Sequence, residues 1–275
     1  MIGQFLLTFR EVLEAALVTS IVLAYLVRTN RRHLTKYVWL GVSIAAAASL
    51  VLGTVIWFTY GLLNEPIQVL FEGSAAILAV VVLTSMILWL ANKGKEIRKE
   101  VEARIEFIAT KEAAFAIGSF SFLIAFREGL ETVLFLTPFL SSDPKGTIVG
   151  ALIGVAASVV LSYGIFIFGM GIDLRRFFYF TSVLLVLLAG GLAGYGTHEL
   201  IEYAEFMRLD MGWFGERAYS LNIPSSSPLH HKGLLGSILA VMFGYTVSAE
   251  WGRLLVHFAY LMLVIPFVVK AYRQR

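Results

Sequence analysis

Seven stretches of this chain are apolar over about the length of a bilayer-spanning helix, and that pattern leaves few folds open. They run at 2–27, 37–60, 67–91, 114–140, 147–170, 178–203 and 252–270. A helix rises about 1.5 Å per residue, so roughly 20 residues cross a hydrocarbon core of about 30 Å. Inside lipid every backbone N–H and C=O must find its partner within the protein, so these segments are read as helices. The fold class is therefore an all-α polytopic membrane protein with seven transmembrane helices. Only 15% of the residues are charged, against about 25% in a soluble domain. The first stretch has neither a basic leader nor a small-residue cleavage site, so it reads as a retained span.

The links between stretches sort by charge. Arg28, Arg31, Arg32 and Lys36 follow the first stretch; Lys93, Lys95, Arg98, Lys99, Arg104 and Lys111 follow the third. Arg175 and Arg176 follow the fifth, and Lys270, Arg273 and Arg275 end the chain. The alternate links hold only Lys145, Arg208, Arg217 and Lys232. Fifteen basic residues against four place the N-terminus outside and the C-terminus in the cytoplasm by the positive-inside rule. Cysteine is absent, which removes disulfides and thiolate ligands.

Two polar decapeptides interrupt this apolar pattern. TFREVLEAAL occupies 8–17 and AFREGLETVL occupies 125–134, so Arg-Glu-x-x-Glu recurs after 117 residues. Each copy lies in the first span of a three-span block. Three is odd, so the blocks have opposite orientations, which is the pattern of an inverted repeat with its site near the midplane. The chain divides into repeat one at 1–91, a cytoplasmic connector helix at 92–112, repeat two at 113–203, an outer loop with a re-entrant or interfacial segment at 204–251, and a last span and tail at 252–275. The connector alternates charge sign at helical spacing, as in Arg98–Glu102 and Glu100–Arg104.

Residues at i and i+3 share a helix face. Glu11 with Glu14, and Glu128 with Glu131, can therefore converge as four carboxylates between two helices. An ionised group at the bilayer centre costs at least ~2.5–3.5 kcal/mol, so six such groups need compensation. Arg10 and Arg127 supply part of it and leave a formal charge of −2. Carboxylates without Cys or His suit a hard cation. Protons compete for the same oxygens, so affinity is expected to weaken as pH falls. The competing reading is a pair of i,i+4 salt bridges, Arg10–Glu14 and Arg127–Glu131, which leaves Glu11 and Glu128 unexplained.

At the outer face, Glu72 lies inside the third stretch, and His198, Glu199 and Glu202 lie at the end of the sixth. A negative vestibule there would concentrate cations; interfacial polarity and capping are the alternative. Glu205 and Asp210 lean to capping. His230 and His231 sit in a Ser/Pro-rich outer loop, while His33 and His257 read as structural. Gly146, Gly150 and Gly154, and Gly190, Gly191, Gly194 and Gly196, permit close helix packing. Tyr37, Trp39 and Trp89 read as interfacial anchors.

With two intramembrane RExxE motifs in seven spans, the chain resembles the oxidase-dependent iron transporter family, the high-affinity iron permeases of yeasts and bacteria. REGLET at 127–132 matches the family pattern; REVLEA at 10–15 has Val12 where the family has Gly. Phe71-Glu72-Gly73, Met86-x-x-Trp89, GYGTHELIE with His198 and Glu199, and the 233–245 segment add to the likeness. The resemblance implies a permease and no enzyme, moving iron, ferric by expectation, across the plasma membrane of a bacterial cell. It implies Glu11, Glu14, Glu128 and Glu131 as iron ligands, with Arg10 and Arg127 as supporting charge. Glu72, His198, Glu199 and Glu202 become candidates for the outer mouth. It also implies an extracytoplasmic iron-oxidising or iron-binding partner. Iron is cargo and no cofactor is expected; the remaining partners are the lipid bilayer and a possible second copy, and no nucleic acid. The residues alone leave other cargo open: manganese, lead, or protons or sodium through a channel. A membrane metalloenzyme would need clustered histidines, and the five here are mostly scattered.

Overall fold

The structure, a computed structural model, describes residues 1–93, 101, 103–106, 114–168, 174–224, 227, 229–230, 236, 239–240 and 243–273. Seven long helices appear among them: α1 (Ile2–Arg28), α2 (Thr35–Gly61), α3 (Glu65–Lys93), α4 (Ala114–Ser142), α5 (Pro144–Phe168), α6 (Leu174–Phe206) and α7 (Trp251–Arg273). Each overlays one of the seven apolar stretches. Five pass a test of length and apolarity for crossing a membrane: Arg32–Gly61, Glu65–Trp89, Pro144–Gly164, Tyr179–Phe206 and Trp251–Ala271. The chain is thus an all-α multi-pass membrane protein. The two helices outside that group are α1 and α4, of 27 and 29 residues. They are the two that carry Arg-Glu-x-x-Glu, and the motif's three charges are what set them apart.

The outer loop holds one element the periodicity did not foresee. Strand β1 (Arg217–Ser220) pairs antiparallel with β2 (Ser248–Glu250), in the register Arg217↔Glu250 and Ser220↔Ser248. Strands of three or four residues carry no readable alternation. This ribbon joins the end of the loop to the start of α7.

Three helix pairs pack most extensively: α2 on α4, α3 on α6, and α1 on α5. Glycines make the first and third possible. A Cβ on Gly41 would lie 2.3 Å from the carbonyl oxygen of Gly118 and 2.9 Å from the nitrogen of Phe122. A Cβ on Gly150 would lie 2.7 Å from the carbonyl oxygen of Met1 and 3.3 Å from the nitrogen of Phe5. Met1 and Phe5 precede Gly118 and Phe122 by 117 residues, the spacing of the two motifs. One crossing is thus built twice. The second pair, α3 on α6, meets at Gly196, whose Cβ would lie 3.1 Å from the carbonyl oxygen of Gly73. Exchanging α1 with α4, α2 with α5 and α3 with α6 turns each pairing into another or into itself. Gly146 does not join the crossing: its N–H donates to Asp143 Oδ1 at 2.9 Å, at the start of α5.

Helix α7 lies along α6 with a smaller contact on α3, where the Thr84 and Tyr260 hydroxyls hydrogen-bond at 2.7 Å. One buried core joins Leu7, Leu83 and Phe135 to α6 residues Leu185 to Ala193. A second joins Val22, Tyr25 and Leu26 of α1 to Val38, Val101, Ile105 and Ile117. Apart from these two connector residues, most of 92–112 lies outside the described residues, as do the pairings expected for Arg98, Glu100 and Glu102 and much of 233–245.

Candidate metal-transport site

The two motifs meet where α1 crosses α4. One carboxylate oxygen each from Glu11, Glu128 and Glu131 lies within 4.8 Å of the others. Glu11 is fully buried and Glu128 is 5% exposed. The i,i+3 spacing does what its geometry requires, bringing Glu128 and Glu131 to one face of α4. Glu14, one turn along α1 from Glu11, has its Oε2 3.2 Å from Arg10 Nη2. Arg10 Nη1 lies 2.6 Å from Glu11 Oε1 and also donates to Met86 Sδ at 3.0 Å. Arg127 Nε lies 2.9 Å from Glu131 Oε1, with its guanidinium 5.9 Å from the centre of the Trp89 ring. Trp89 is therefore a neighbour of the site.

Four oxygens stand out. Glu11 Oε2, Glu14 Oε2, Glu128 Oε2 and Glu131 Oε2 are buried without a hydrogen-bond partner. A buried unsatisfied polar group costs about 1–3 kcal/mol, and more when charged. Arg10 and Arg127 pair with Glu11, Glu14 and Glu131, and no ion pair reaches Glu128 among the described residues. Such a cluster can stand through protons or through a cation.

A second group forms near the C-terminal end of α6, where His198, Glu199 and Glu202 offer ligand atoms within 4.8 Å. His198 Nδ1 lies 3.2 Å from Glu250 Oε1, and His198 Nε2 lies 4.0 Å from Glu202 Oε2. Burial pushes the Glu250 carboxyl up, but the imidazole beside it outweighs this and holds it below its ordinary value. Glu72 accepts hydrogen bonds from the hydroxyls of Tyr60 and Tyr195. It lies 14 residues along α3 from Met86, about 21 Å of helix. Leu7, Leu83 and Phe135, all fully buried, pack between the two groups.

The chain was then compared with known proteins. The iron permease FTR1 family matches it over residues 1–272. The chain belongs to the iron permease FTR1 family. An uncharacterized protein of Archaeoglobus fulgidus is 45% identical over 272 residues, covering 99% of this chain and 96% of that protein. The ferrous iron permease EfeU of Yersinia pestis is 32% identical over 265 residues, covering 95% of this chain and 91% of its own. EfeU of Escherichia coli O6:H1 is 32% identical over 276 residues, with coverages of 98% and 96%. No solved structure matches.

Within this permease the duplication runs further than the motif. FLLTFREVLE at 5–14 repeats as FLIAFREGLE at 122–131. Phe5 stacks on Phe9 at 5.6 Å and Phe122 on Phe126 at 5.1 Å, each pair one turn ahead of its Arg-Glu. The departure at Val12 also has a physical counterpart. A Cβ on Gly129 would lie 2.0 Å from Ser49 Oγ, so the second copy needs its glycine.

Sequence reasoning missed Glu250. It directly precedes the last apolar stretch, where a carboxylate reads as a helix-start charge, and only the β ribbon brings it to His198. Tyr60 and Tyr195 were missed because tyrosine near a span end is ordinary. Asp210 Oδ1 accepts from the Gly212 N–H at 2.8 Å, consistent with its capping reading. His257 is buried on α7 against Phe258, with ring centres 5.2 Å apart. His231 lies outside the described residues.

Proposed function

We propose that this permease carries iron inward across the plasma membrane, read as a bacterial inner membrane, through a midplane site of Glu11, Glu14, Glu128 and Glu131. The carrying observation is the convergence of three carboxylates from two motifs 117 residues apart. Oxygen donors alone suit a hard cation. Arg10 and Arg127 orient the carboxylates and lower the residual charge. The chain acts as a transporter and not as an enzyme, and iron is its cargo.

Seven spans with the N-terminus outside and the C-terminus inside fit this reading. The exchangeable packing of α1–α3 and α4–α6 supports an inverted pair of repeats. Iron would first meet Glu72, His198, Glu199 and Glu202, joined by Glu250, delivered by an extracytoplasmic iron-binding protein, or by an iron-oxidising one if the cargo is ferric. The Leu7–Leu83–Phe135 layer then has to open, so the repeats rock or gate around the site.

Two valences each have a supporting observation. Four glutamates against two arginines leave −2, which a divalent ion neutralises, and the relatives named EfeU are called ferrous iron permeases. Three converging carboxylates match the three charges of ferric ion. The divalent reading leaves the buried site neutral and is preferred. Radiolabelled uptake into proteoliposomes tests it, with iron supplied reduced under ascorbate or as a ferric chelate. Uptake from the reduced pool only, lost in Glu128→Gln, is expected. Uptake of manganese but not iron, or proton conductance without metal, would replace the reading.

A further inference from the structure

We propose that Gln4 and Thr8 supply neutral oxygen ligands on the approach to the glutamate cluster, a subsite for a partly dehydrated hard cation. Gln4, Thr8 and Glu11 stand at i, i+4 and i+7 on α1, within about 60° of arc and about 10 Å of helix. They are 3%, 2% and 0% exposed. Gln4 Oε1, Thr8 Oγ1 and Glu11 Oε2 are each buried without a hydrogen-bond partner. One helix face thus carries a row of three unpaired oxygens that ends in the carboxylate cluster.

The neighbours of Gln4 fix which end of its amide is free. Its Nε2 donates to Thr147 Oγ1 at 3.4 Å, and the Thr147 hydroxyl is directed at the carbonyl oxygens of Phe139 and Asp143, at 3.0 and 2.8 Å. Thr147 must therefore accept from Gln4, which leaves the carbonyl end of the amide unpaired. Thr8 departs from the habit of its own protein. Ser49, Thr84, Thr132, Thr137 and Thr197 each donate to the carbonyl one turn earlier, at 2.6–2.9 Å. That local bond is the usual way for a helix to satisfy a buried hydroxyl, and Thr8 does not make it.

Packing accounts for the size of these residues but not for their oxygens. A Cβ on Gly150 would lie 3.1 Å from Gln4 Cβ, and one on Gly154 would lie 3.0 Å from Thr8 Cβ. Leu and Val would fill the same places. Nor does the duplication account for them. The positions 117 residues on are Ser121, Ala125 and Glu128. Ser121 Oγ donates to the Ile117 carbonyl at 2.9 Å, and Ala125 has no side-chain oxygen, so the row exists on α1 alone. Amide carbonyls and hydroxyls replace the water of a hard cation without the charge that would hold it, and a path needs sites that bind weakly enough to release. Leu7 lies between Gln4 and Thr8 in the chain, so the apolar layer borders the row. The inference rests on reading the glutamates as a cation site and the N-terminus as outside, which makes this the entry side.

Thr8→Val and Gln4→Leu keep the volume and remove the oxygen. Ferrous iron uptake into proteoliposomes is measured beside wild type and Glu128→Gln, together with equilibrium manganese binding and thermal unfolding of the metal-free chain. Uptake at sub-saturating iron should fall about tenfold in each variant, the equivalent of one lost polar contact. Manganese binding should stay at the wild-type level, and melting should be unchanged or higher, because an unpaired buried oxygen is gone. Thr8→Ser should recover uptake. Unchanged uptake in both variants, with Glu128→Gln inactive, would overturn this proposal and leave the glutamate site standing. Uptake that falls in step with the melting temperature would make both residues packing and overturn it too. A wild type without uptake would count against the iron reading instead, and Thr8→Cys then decides. The chain has no other cysteine, so a small cationic thiol reagent added outside should modify position 8, more slowly in excess manganese. No modification would overturn the proposal.

Discussion

Glu128→Gln separates binding from folding more cleanly than any other change at this site. Glu128 is 5% exposed, its Oε2 has no hydrogen-bond partner, and no ion pair reaches it among the described residues. Its charged neighbours within the cluster, Glu11 and Glu131, are of like sign. Two unit charges 4.8 Å apart repel by about 3 kcal/mol at an effective dielectric of 20. Gln keeps the shape and removes whatever charge Glu128 carries, so the metal-free protein should melt at the same temperature or higher. The bound state should suffer, because losing one partner of a buried charge contact costs ~2–5 kcal/mol, a loss of roughly 10²-fold or more in Kd. Glu11→Gln should behave oppositely when metal-free: its carboxylate is the 2.6 Å partner of the buried Arg10, and with Glu14 left as the remaining carboxylate the lost charged hydrogen bond should cost about 1.5–3 kcal/mol. Thermal unfolding in detergent, read beside iron uptake in proteoliposomes, distinguishes the two. If Glu128→Gln destabilises the metal-free chain as much as Glu11→Gln does, Glu128 is a structural partner and the reasoning fails. Unchanged iron uptake would refute it equally.

Three further outcomes are expected. Gly129→Val, which copies the residue at position 12, drives a side chain into Ser49 and should cost about 1–3 kcal/mol of stability; Ser49→Gly should restore most of the loss, and no restoration would refute the contact. The Glu250 carboxyl lies below its ordinary value of 4.5 beside His198, so its contribution to stability is full above 4.5 and is lost as pH falls through the lowered value. The melting difference between wild type and Glu250→Gln should therefore shrink on acidification, and a difference that grows would contradict the pairing. Trp89→Leu removes the ring beneath Arg127, an interaction of about 0.5–2 kcal/mol; iron uptake should fall less than in Glu128→Gln, and an equal loss would make Trp89 part of the ion path.

The helices were legible because lipid demands continuous apolar segments of a set length. The third stretch was expected at 67–91 and α3 spans Glu65–Lys93. The four glutamates were legible because charge inside such a segment is costly and so conspicuous. What escaped had no such contrast. Glu250 gains its meaning from a three-residue strand. Tyr60 and Tyr195 matter only because α2 and α6 bring them to one carboxylate. That Arg10 engages Glu11, Glu14 and Met86 together depends on which rotamer its guanidinium takes, and no spacing encodes that. The full extent of the duplication, FLxxFRExLE, was present in the sequence; the stacked phenylalanines were overlooked because aromatic residues at i,i+4 in a span read as ordinary packing.

The two motifs are nearly the same string, yet their arginines are bound differently, and the difference lies in what surrounds each copy. Arg10 is enclosed by two carboxylates and a methionine sulfur, so its position is overdetermined. Arg127 holds one carboxylate and rests on one ring, with half its side chain uncovered. A guanidinium with fewer contacts moves at lower cost, and a motion of Arg127 would carry Glu131, which belongs to the carboxylate cluster. The half of the site on α4 is therefore the half able to change its coordination, and the half on α1 is a fixed wall. A duplicated sequence with equal surroundings would give neither side that role; here α7, which lies chiefly on α6 and has no counterpart on α3, breaks the equivalence.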